Sequence, residues 1–447
     1  MGANKSAESS NITKMKVFSN YGKELELVGG VTTFQYFESI FDPTIRASAQ
    51  ITDTGFRNGI DKVSAIEKED LHLTVGEKSI ISVTDNKGIS LDLEMRVREV
   101  GNIVERTQSI GYTMDWYSIE AINNELRENR VVKRYDGKIT DYVPEIIKQN
   151  LKTSKKIKVD PCINKFNFLG HVQKPFYILS WLAKRTAPDV GPLGDLAGYL
   201  FWETYKGYNY RSIDKIFLEK TIVRKLIFTN TEQLPGGYDG KILDYSWSDK
   251  VSLDKKLLTS AYNKSEMRGF DIYSHGYGED EFDSTKQFQY DNIGGLEKPK
   301  IASDINLESK SSRVNSNFYD TGVLPPGSTL GAQLPFSKEI NFNTNEIVRQ
   351  SFVRYNNLFS HKLSIKIPGD FGIHAGDLIW CDFPEVSDKV QQIISEKKSG
   401  IYMVIDISHY VTPRGTWTGI NLARESILRP PLPKTPLFKN STDAEGL

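Results

Sequence analysis

Residues 351–383 read SFVRYNNLFSHKLSIKIPGDFGIHAGDLIWCDF, and after a polar gap residues 399–424 read SGIYMVIDISHYVTPRGTWTGINLAR. Leu363, Ile365 and Ile367 alternate with Lys362, Ser364 and Lys366. That period of two marks a strand with one buried face. Pro368, Gly369 and Asp370 are turn residues. Ile373 to Phe383 reads as a second strand region, and Ile401, Met403, Ile405 and Ile407 give a third. Thr412 to Gly415 turns that strand back into Thr416 to Ala423. The expectation is an antiparallel meander that sits on another layer or closes into a barrel.

The same grammar fills the first part of the chain. Lys16 to Ser19 and Glu24 to Val28 flank a turn at Tyr21 and Gly22. Between Thr44 and Thr52, Ile45, Ala47, Ala49 and Ile51 alternate with Arg46, Ser48 and Gln50. Leu71, Leu73 and Val75 repeat the pattern. From Ser90 to Val100, Leu91, Leu93, Met95 and Val97 point inward while Asp92, Glu94, Arg96 and Arg98 point outward, and Tyr112 to Ala121 is the return strand. Short strands with turn signals between them indicate a sandwich or barrel. The charged outward face is a solvated face, a polar protein interface or a wet lumen wall.

The two strand-rich regions share punctuation. IEKEDL (66–71) and IHAGDL (373–378) each precede a strand, and Ile122-Asn123 and Ile420-Asn421 each close the last one. Their common order favours two copies of one barrel. Between them, Ile139, Tyr142, Val143, Ile146, Ile147 and Leu151 recur at helical spacing. A second helix begins at Pro175, a favoured first-turn residue, and Leu200 to Ser212 forms a hairpin through Lys206 and Gly207. This predicts a small α+β domain. Strands return at Ile242 to Trp247 and Met267 to Ser274, and 276–343 reads as a loop-rich insertion. A helix over Glu346 to Tyr355 leads back to the opening stretch, and Pro430, Pro431 and Pro433 mark an extended exit arm.

Composition narrows the function. Of 447 residues, Lys+Arg and Asp+Glu are 57 each, so the chain has no global pull toward nucleic acid or anionic membranes. Cys162 and Cys381 are too few and too far apart for a disulfide framework, which fits a reducing compartment. No apolar run approaches the ~20 residues that span a bilayer. The first residues, MGANKS, fit a myristoylation pattern but read as a flexible arm. His72, His171, His275, His361, His374 and His409 show no metal-ligand spacing. His374 and Asp377 invite an acid–base reading and are read as turn punctuation. The acidic run Glu279, Asp280, Glu281 and Asp283 lacks the ligand pattern of a calcium loop. GPLGDLAG (191–198) lacks the ending of a phosphate loop and is read as a linker, and the lysines of LKTSKKIKVD (151–160) as a solvated loop. No cofactor, metal or catalytic site is expected, and the chain is expected not to be an enzyme.

The order of parts and four stretches carry a family resemblance: KPFYILSWLAKRT (174–186), YLFWETYKGYNYRSIDKI (199–216), LSIKIPGDFGIHAGDLIW (363–380) and GIYMVIDISHYVTPRGTWTGINL (400–422). Over roughly 14–427 the chain resembles the baseplate hub proteins of contractile bacteriophage tails, whose relatives include late-control-type tail proteins and the matching part of type VI secretion spikes. The resemblance implies a mainly β protein with an α+β insertion: a flexible arm (1–13), a first tube-type antiparallel β-barrel (14–126), a small α+β domain (127–225), a second, split barrel (226–275 and 344–427), the insertion (276–343) and an extended arm (428–447). It also implies a homotrimer that joins a sixfold tail tube, or a tube initiator, to a threefold spike, among other baseplate proteins. DNA would pass through its lumen without sequence-specific binding, and the protein would reside in the virion after synthesis in the host cytoplasm, with no membrane anchor. Arg46, Gln50, Glu94, Arg96, Lys362 and Lys366 are then the candidates for an interface or the lumen. A carbohydrate-binding or carbohydrate-cleaving receptor-recognition protein is the alternative.

Overall fold

The computed structural model describes residues 10–54, 75–189, 197–231, 233–247, 264–271, 277–283, 304, 310–319, 344–385 and 393–426. The fold is mainly antiparallel β. In its first part the strands are β1 (Asn11–Phe18), β2 (Glu24–Glu26), β3 (Val31–Ser39), β4 (Arg46–Asp53), β5 (Lys78–Thr84), β6 (Ser90–Arg106) and β7 (Ser109–Tyr117). They pair antiparallel in the order β2-β1-β5-β6-β7-β4-β3. Alternation sends Met15, Val17, Phe34, Tyr36, Ala47, Ala49, Leu91, Leu93, Met95, Val97 and Trp116 into one core. Leu71 and Leu73 lie outside the described residues.

The middle of the chain holds α1 (Ile119–Glu125), β8 (Arg134–Tyr135), α2 (Ile139–Asn150), β9 (Ile157–Val159), β10 (Phe168–Leu169), α3 (Pro175–Ala183), β11 (Tyr199–Thr204), β12 (Gly207–Ser212) and α4 (Ile213–Glu219). The α2 stripe (Ile139, Tyr142, Val143, Ile146, Ile147) packs with Leu179 and Leu182 of α3 and with Tyr199, Phe201, Tyr208 and Tyr210 of the hairpin. Strand β9 adds to β12 in parallel. Gly207 makes this possible: its φ is +120°, and a Cβ there would sit 2.2 Å from the Lys156 carbonyl oxygen. The hairpin expected between Leu200 and Ser212 is present, with β9 as an unforeseen third strand.

The last part contains β13 (Ile222–Phe228), β14 (Gly240–Ile242), β15 (Asp244–Trp247), α5 (Thr344–Leu358), β19 (His361–Pro368), β20 (Leu378–Asp382), β21 (Gly400–Thr412) and β22 (Gly415–Arg424). The expected meander is not what forms. β19 pairs with β15 and β22, whereas β20 pairs with β13 and β21. Pro368 ends β19, and the chain then crosses with Phe371, Ile373 and Ala375 buried before β20 begins. A segment that must bury three apolar side chains is no hairpin turn. β14 and β15 are separated by Leu243 alone, whose N–H donates to the Lys366 carbonyl at 2.8 Å. β13 pairs with β14 and β20, β20 with β21, β21 with β22, β22 with β19 and β19 with β15, and these strands enclose a core of Leu226, Ile365, Ile367, Ile379, Tyr402, Val404, Ile420 and Leu422.

Two other expectations change. Ile122 and Asn123 lie on α1 rather than on a closing strand, and the counterpart punctuation at 66–71 lies outside the described residues. The region read as loop-rich contributes β17 (Tyr277–Asp283) and β18 (Lys310–Tyr319), which flank β16 (Lys264–Asp271) in a three-stranded sheet. The acidic run 279–283 is thus on a strand.

The first and last parts are not separate sheets. β3 pairs antiparallel with β21, from Ser39 opposite Asp406 to Phe34 opposite Val411, and the strands of both parts belong to one 14-stranded sheet. β21 gives residues 400–403 to β20 and residues 406–411 to β3, with a register shift between Val404 and Asp406 where it changes partner.

Candidate assembly surface

The register along this sheet fixes its outward face. One cross-strand row runs Arg96, Tyr117, Arg46, Phe37, Ser408, Gly419, Lys366. The next runs Asp115, Ser48, Gln35, Tyr410, Trp417, and another Ser39, Asp406, Asn421, Ser364. All of these side chains are half-buried or exposed, while their neighbours in sequence are buried. The result is one polar face from β7 through β4, β3, β21 and β22 to β19. A shallow groove of about 440 Å³ crosses it, lined by Phe37, Ser39, Asp42, Arg46, Ser364, Asp406, Ser408 and Asn421.

Three candidates named from sequence, Arg46, Arg96 and Lys366, fall on a single row of that face. Arg46 is held by Asp42 at 2.5 Å, and Lys366 lies 4.6 Å from the centre of the Trp417 ring. Arg96 reaches the Gly76 carbonyl at 3.4 Å. Gln50 lies on the same face opposite Thr113. Lys362 is exposed at the start of β19, over the Phe359 ring. Glu94 stands apart on β6, beyond the end of β7, and pairs with Lys78 at 2.8 Å. Sequence reasoning passed over Asp406, Ser408, Tyr410, Trp417 and Asn421. The alternation of Ile405 and Ile407 already carried the phase that turns Asp406, Ser408 and Tyr410 outward.

Beneath this face the parts of the chain are joined by buried charges. Glu38 on β3 accepts from the Tyr36 hydroxyl at 2.8 Å, the Tyr205 N–H at 2.7 Å and the Ala375 N–H at 2.9 Å, and its Oε1 lies 3.1 Å from His374 Nδ1. Burial pushes the Glu38 carboxyl up, but His374 and these N–H groups hold it below its ordinary value. Glu203 on β11 accepts from the Ile45 N–H at 3.0 Å, the Ser118 hydroxyl at 2.8 Å and Lys155 at 2.5 Å. Burial dominates there, opposed by Lys155, and raises Glu203 to about 6. Asp370 meets Arg224 at 2.7 Å and Lys87 at 2.8 Å. These cations outweigh its burial and draw it to about 2. Arg354 on α5 binds Asp214 on α4 and Glu425 after β22.

His374 and Asp377 are consumed in the same way. His374 is buried against Glu38, and its N–H donates to Asp377 Oδ2 at 2.8 Å. Their carboxylate and imidazole groups fix the loop between β19 and β20. Among the described residues no group of three or more His, Cys, Asp or Glu is arranged to hold a metal ion, and no helix is long and apolar enough to cross a membrane.

No protein-family model matches this chain, and no curated protein sequence does. Solved structures do. The 43 kDa tail protein of prophage MuSo2 from Shewanella oneidensis aligns with TM-score 0.50 at 10% identity, over 94% of this chain and 100% of its own. A tail protein from Neisseria meningitidis MC58 aligns with TM-score 0.48 at 9% identity, over 93% and 97%. The likeness to the Shewanella protein shows a shared fold across nearly the whole of both chains.

Proposed function

We propose that this chain, which has the fold of a prophage tail protein, is a structural component of a phage-like tail baseplate, and specifically its central hub. The observation that carries this reading is the continuous polar face of the joined sheet. It spans both strand-rich parts and mixes Arg46, Lys362 and Lys366 with Asp115, Asp406 and neutral side chains. A surface of that kind suits the wall of a channel or a wet subunit interface, and on the row that carries Arg96, Arg46 and Lys366 the cations are spaced by Tyr117, Phe37, Ser408 and Gly419.

In this reading the strands before α1 form one tube-type barrel and the circuit through β13, β14, β15, β19, β22, β21 and β20 forms the second. Three chains would place six barrels in a ring between a sixfold tube above and a threefold spike below. The domain limits 14–126, 127–225 and 226–275 with 344–427 belong to this proposal. So do the roles of Arg46, Gln50, Glu94, Arg96, Lys362 and Lys366 at the interface or bore. The buried charges support it physically. Each of Glu38, Glu203, Asp370 and Arg354 joins separate segments, and removing one partner strands a buried charge, so the arrangement of parts is tightly specified. The carbohydrate reading asks for carboxylates available in a cleft. Those lining the groove are engaged, Asp42 by Arg46 and Asp406 by Ser39 and Asn421.

Light scattering after size exclusion tests the hub. A trimer, alone or with tube and spike proteins added, is expected. A chain that stays monomeric with both partners present contradicts the proposal.

A further inference from the structure

Helix α3 carries a feature that the joined sheet does not use. Tyr177, Trp181 and Arg185 recur every fourth residue, so they share one face of α3 and the turn that follows it. The Arg185 guanidinium lies 3.9 Å from the centre of the Trp181 ring, and its Nη1 donates to the Trp181 carbonyl at 3.1 Å. Phe166 and Phe168 prop the other parts of that ring at 5.4 and 5.6 Å. Tyr177 is 55% exposed, and Leu169, next to Phe168, is 42% exposed.

Arg211, Arg224 and Arg354 each meet a carboxylate. Arg185 meets none among the described residues, although burial pushes its guanidinium down to about 10. A guanidinium presents five donors in a planar fork suited to a carboxylate, and among the described residues the Trp181 carbonyl takes one of them. Lys184 beside it is exposed, while Lys174 at the other end of the helix is taken by Glu125. Among the described residues no carboxylate pairs with Arg185 or Lys184, so two cations stand beside a rigid aromatic platform.

We propose that this face of α3 docks an acidic segment of another protein, whose carboxylate takes the Arg185 fork while an adjacent apolar side chain packs on Tyr177 and Trp181. A protein partner is favoured over a nucleic acid because the cations here are two neighbouring residues, Lys184 and Arg185, rather than a track along a backbone. This inference does not rest on the hub reading, and its failure would leave that reading untouched.

The test uses the full chain and a fluorescein-labelled pentapeptide, acetyl-Glu-Phe-Asp-Leu-Glu-amide, followed by anisotropy. Its counterpart with Gln, Asn and Gln in place of the acids is the control. The acidic peptide is expected to saturate, and the control to bind about tenfold more weakly or worse. Arg185→Gln is expected to lose about tenfold or more, and Arg185→Lys to fall between, since it keeps the charge but not the fork. Tyr177→Ala, at an exposed position, should weaken binding without disturbing the fold. Circular dichroism checks each variant. Absence of saturable binding, equal affinity for both peptides, undiminished binding by folded Arg185→Gln or Tyr177→Ala, or displacement of the peptide by oligo(dT) would each overturn the proposal.

Discussion

At the scale of single residues, the chain places ionisable groups where its own pattern asks for apolar ones. Glu38 occupies the inward phase of β3, between Tyr36 and Ile40. That misfit was legible in the sequence, but its partners were not: Tyr205 and His374 are 167 and 336 residues away. Arg354 gives the sharpest stability test. Arg354→Met keeps much of the volume but leaves Asp214 and Glu425 buried without their cation, so a loss of about 3–5 kcal/mol is expected in urea unfolding. A change below 1 kcal/mol would remove the cluster from the list of structural clamps. His409 predicts a pH effect. It is fully buried on β21, stacked with Tyr36 at 6.0 Å and bonded through Nδ1 to Thr418, within electrostatic reach of Glu38, His374 and Asp370. Burial lowers it from 6.5 to about 4. The unfolded chain takes up this proton first, so His409 makes stability fall as pH drops through that window, by about 3 kcal/mol. Glu203, raised to about 6, opposes this, because its folded form protonates first and gains stability below pH 6. His409→Asn removes only the first effect. Its melting temperature should decline less than that of the parent between pH 6.5 and 4, and parallel profiles would contradict the assignment.

At the scale of elements, strand phase was readable and strand partnership was not. Leu363, Ile365 and Ile367 announce β19, and Leu91, Leu93 and Met95 announce β6, because burial on one face imposes a period of two. Nothing local states that β19 prefers β22 and β15 to β20. That choice is made by the crossing after Pro368, whose Ile373 and Phe371 need burial, and by Gly376. Gly376 has φ +87°, and a Cβ there would lie 2.4 Å from the Trp202 ring. The Trp202 indole N–H donates to the Ala375 carbonyl at 3.0 Å, so ring and loop are locked together. Gly376→Ala combines left-handed strain with overlap against a fixed ring. A cost of about 2–5 kcal/mol is expected from chemical denaturation. A neutral substitution would show that the loop yields more easily than its contacts indicate.

At the scale of the whole molecule, the β-rich class, the helical middle and the outward phases of Arg46 and Lys366 were legible. The fusion of both strand-rich parts through β3 and β21 was not, since it depends on hydrogen bonds between backbones that carry no side-chain signature. The hub proposal makes a prediction here. Arg46 is engaged by Asp42, Arg96 by the Gly76 carbonyl, and Lys366 and Lys362 lie over the Trp417 and Phe359 rings, so the cations of this face are spaced and partnered rather than gathered for phosphate contact. Binding of double-stranded DNA should be weak at physiological salt, with a shallow dependence of log K on log salt. A steep slope, near that of a protein making about 6–10 phosphate contacts, would rule out a smooth bore. The β3–β21 seam also has a temporal consequence. Ser39 bonds Asp406 across 367 residues, and at ribosomal speeds the interval between their synthesis is roughly 20–70 s. Throughout that time the backbone groups of β3 that pair with β21 lack that partner. A chain truncated before β21 is therefore expected to aggregate more readily than the full chain, because the edge of β3 would then stay uncovered.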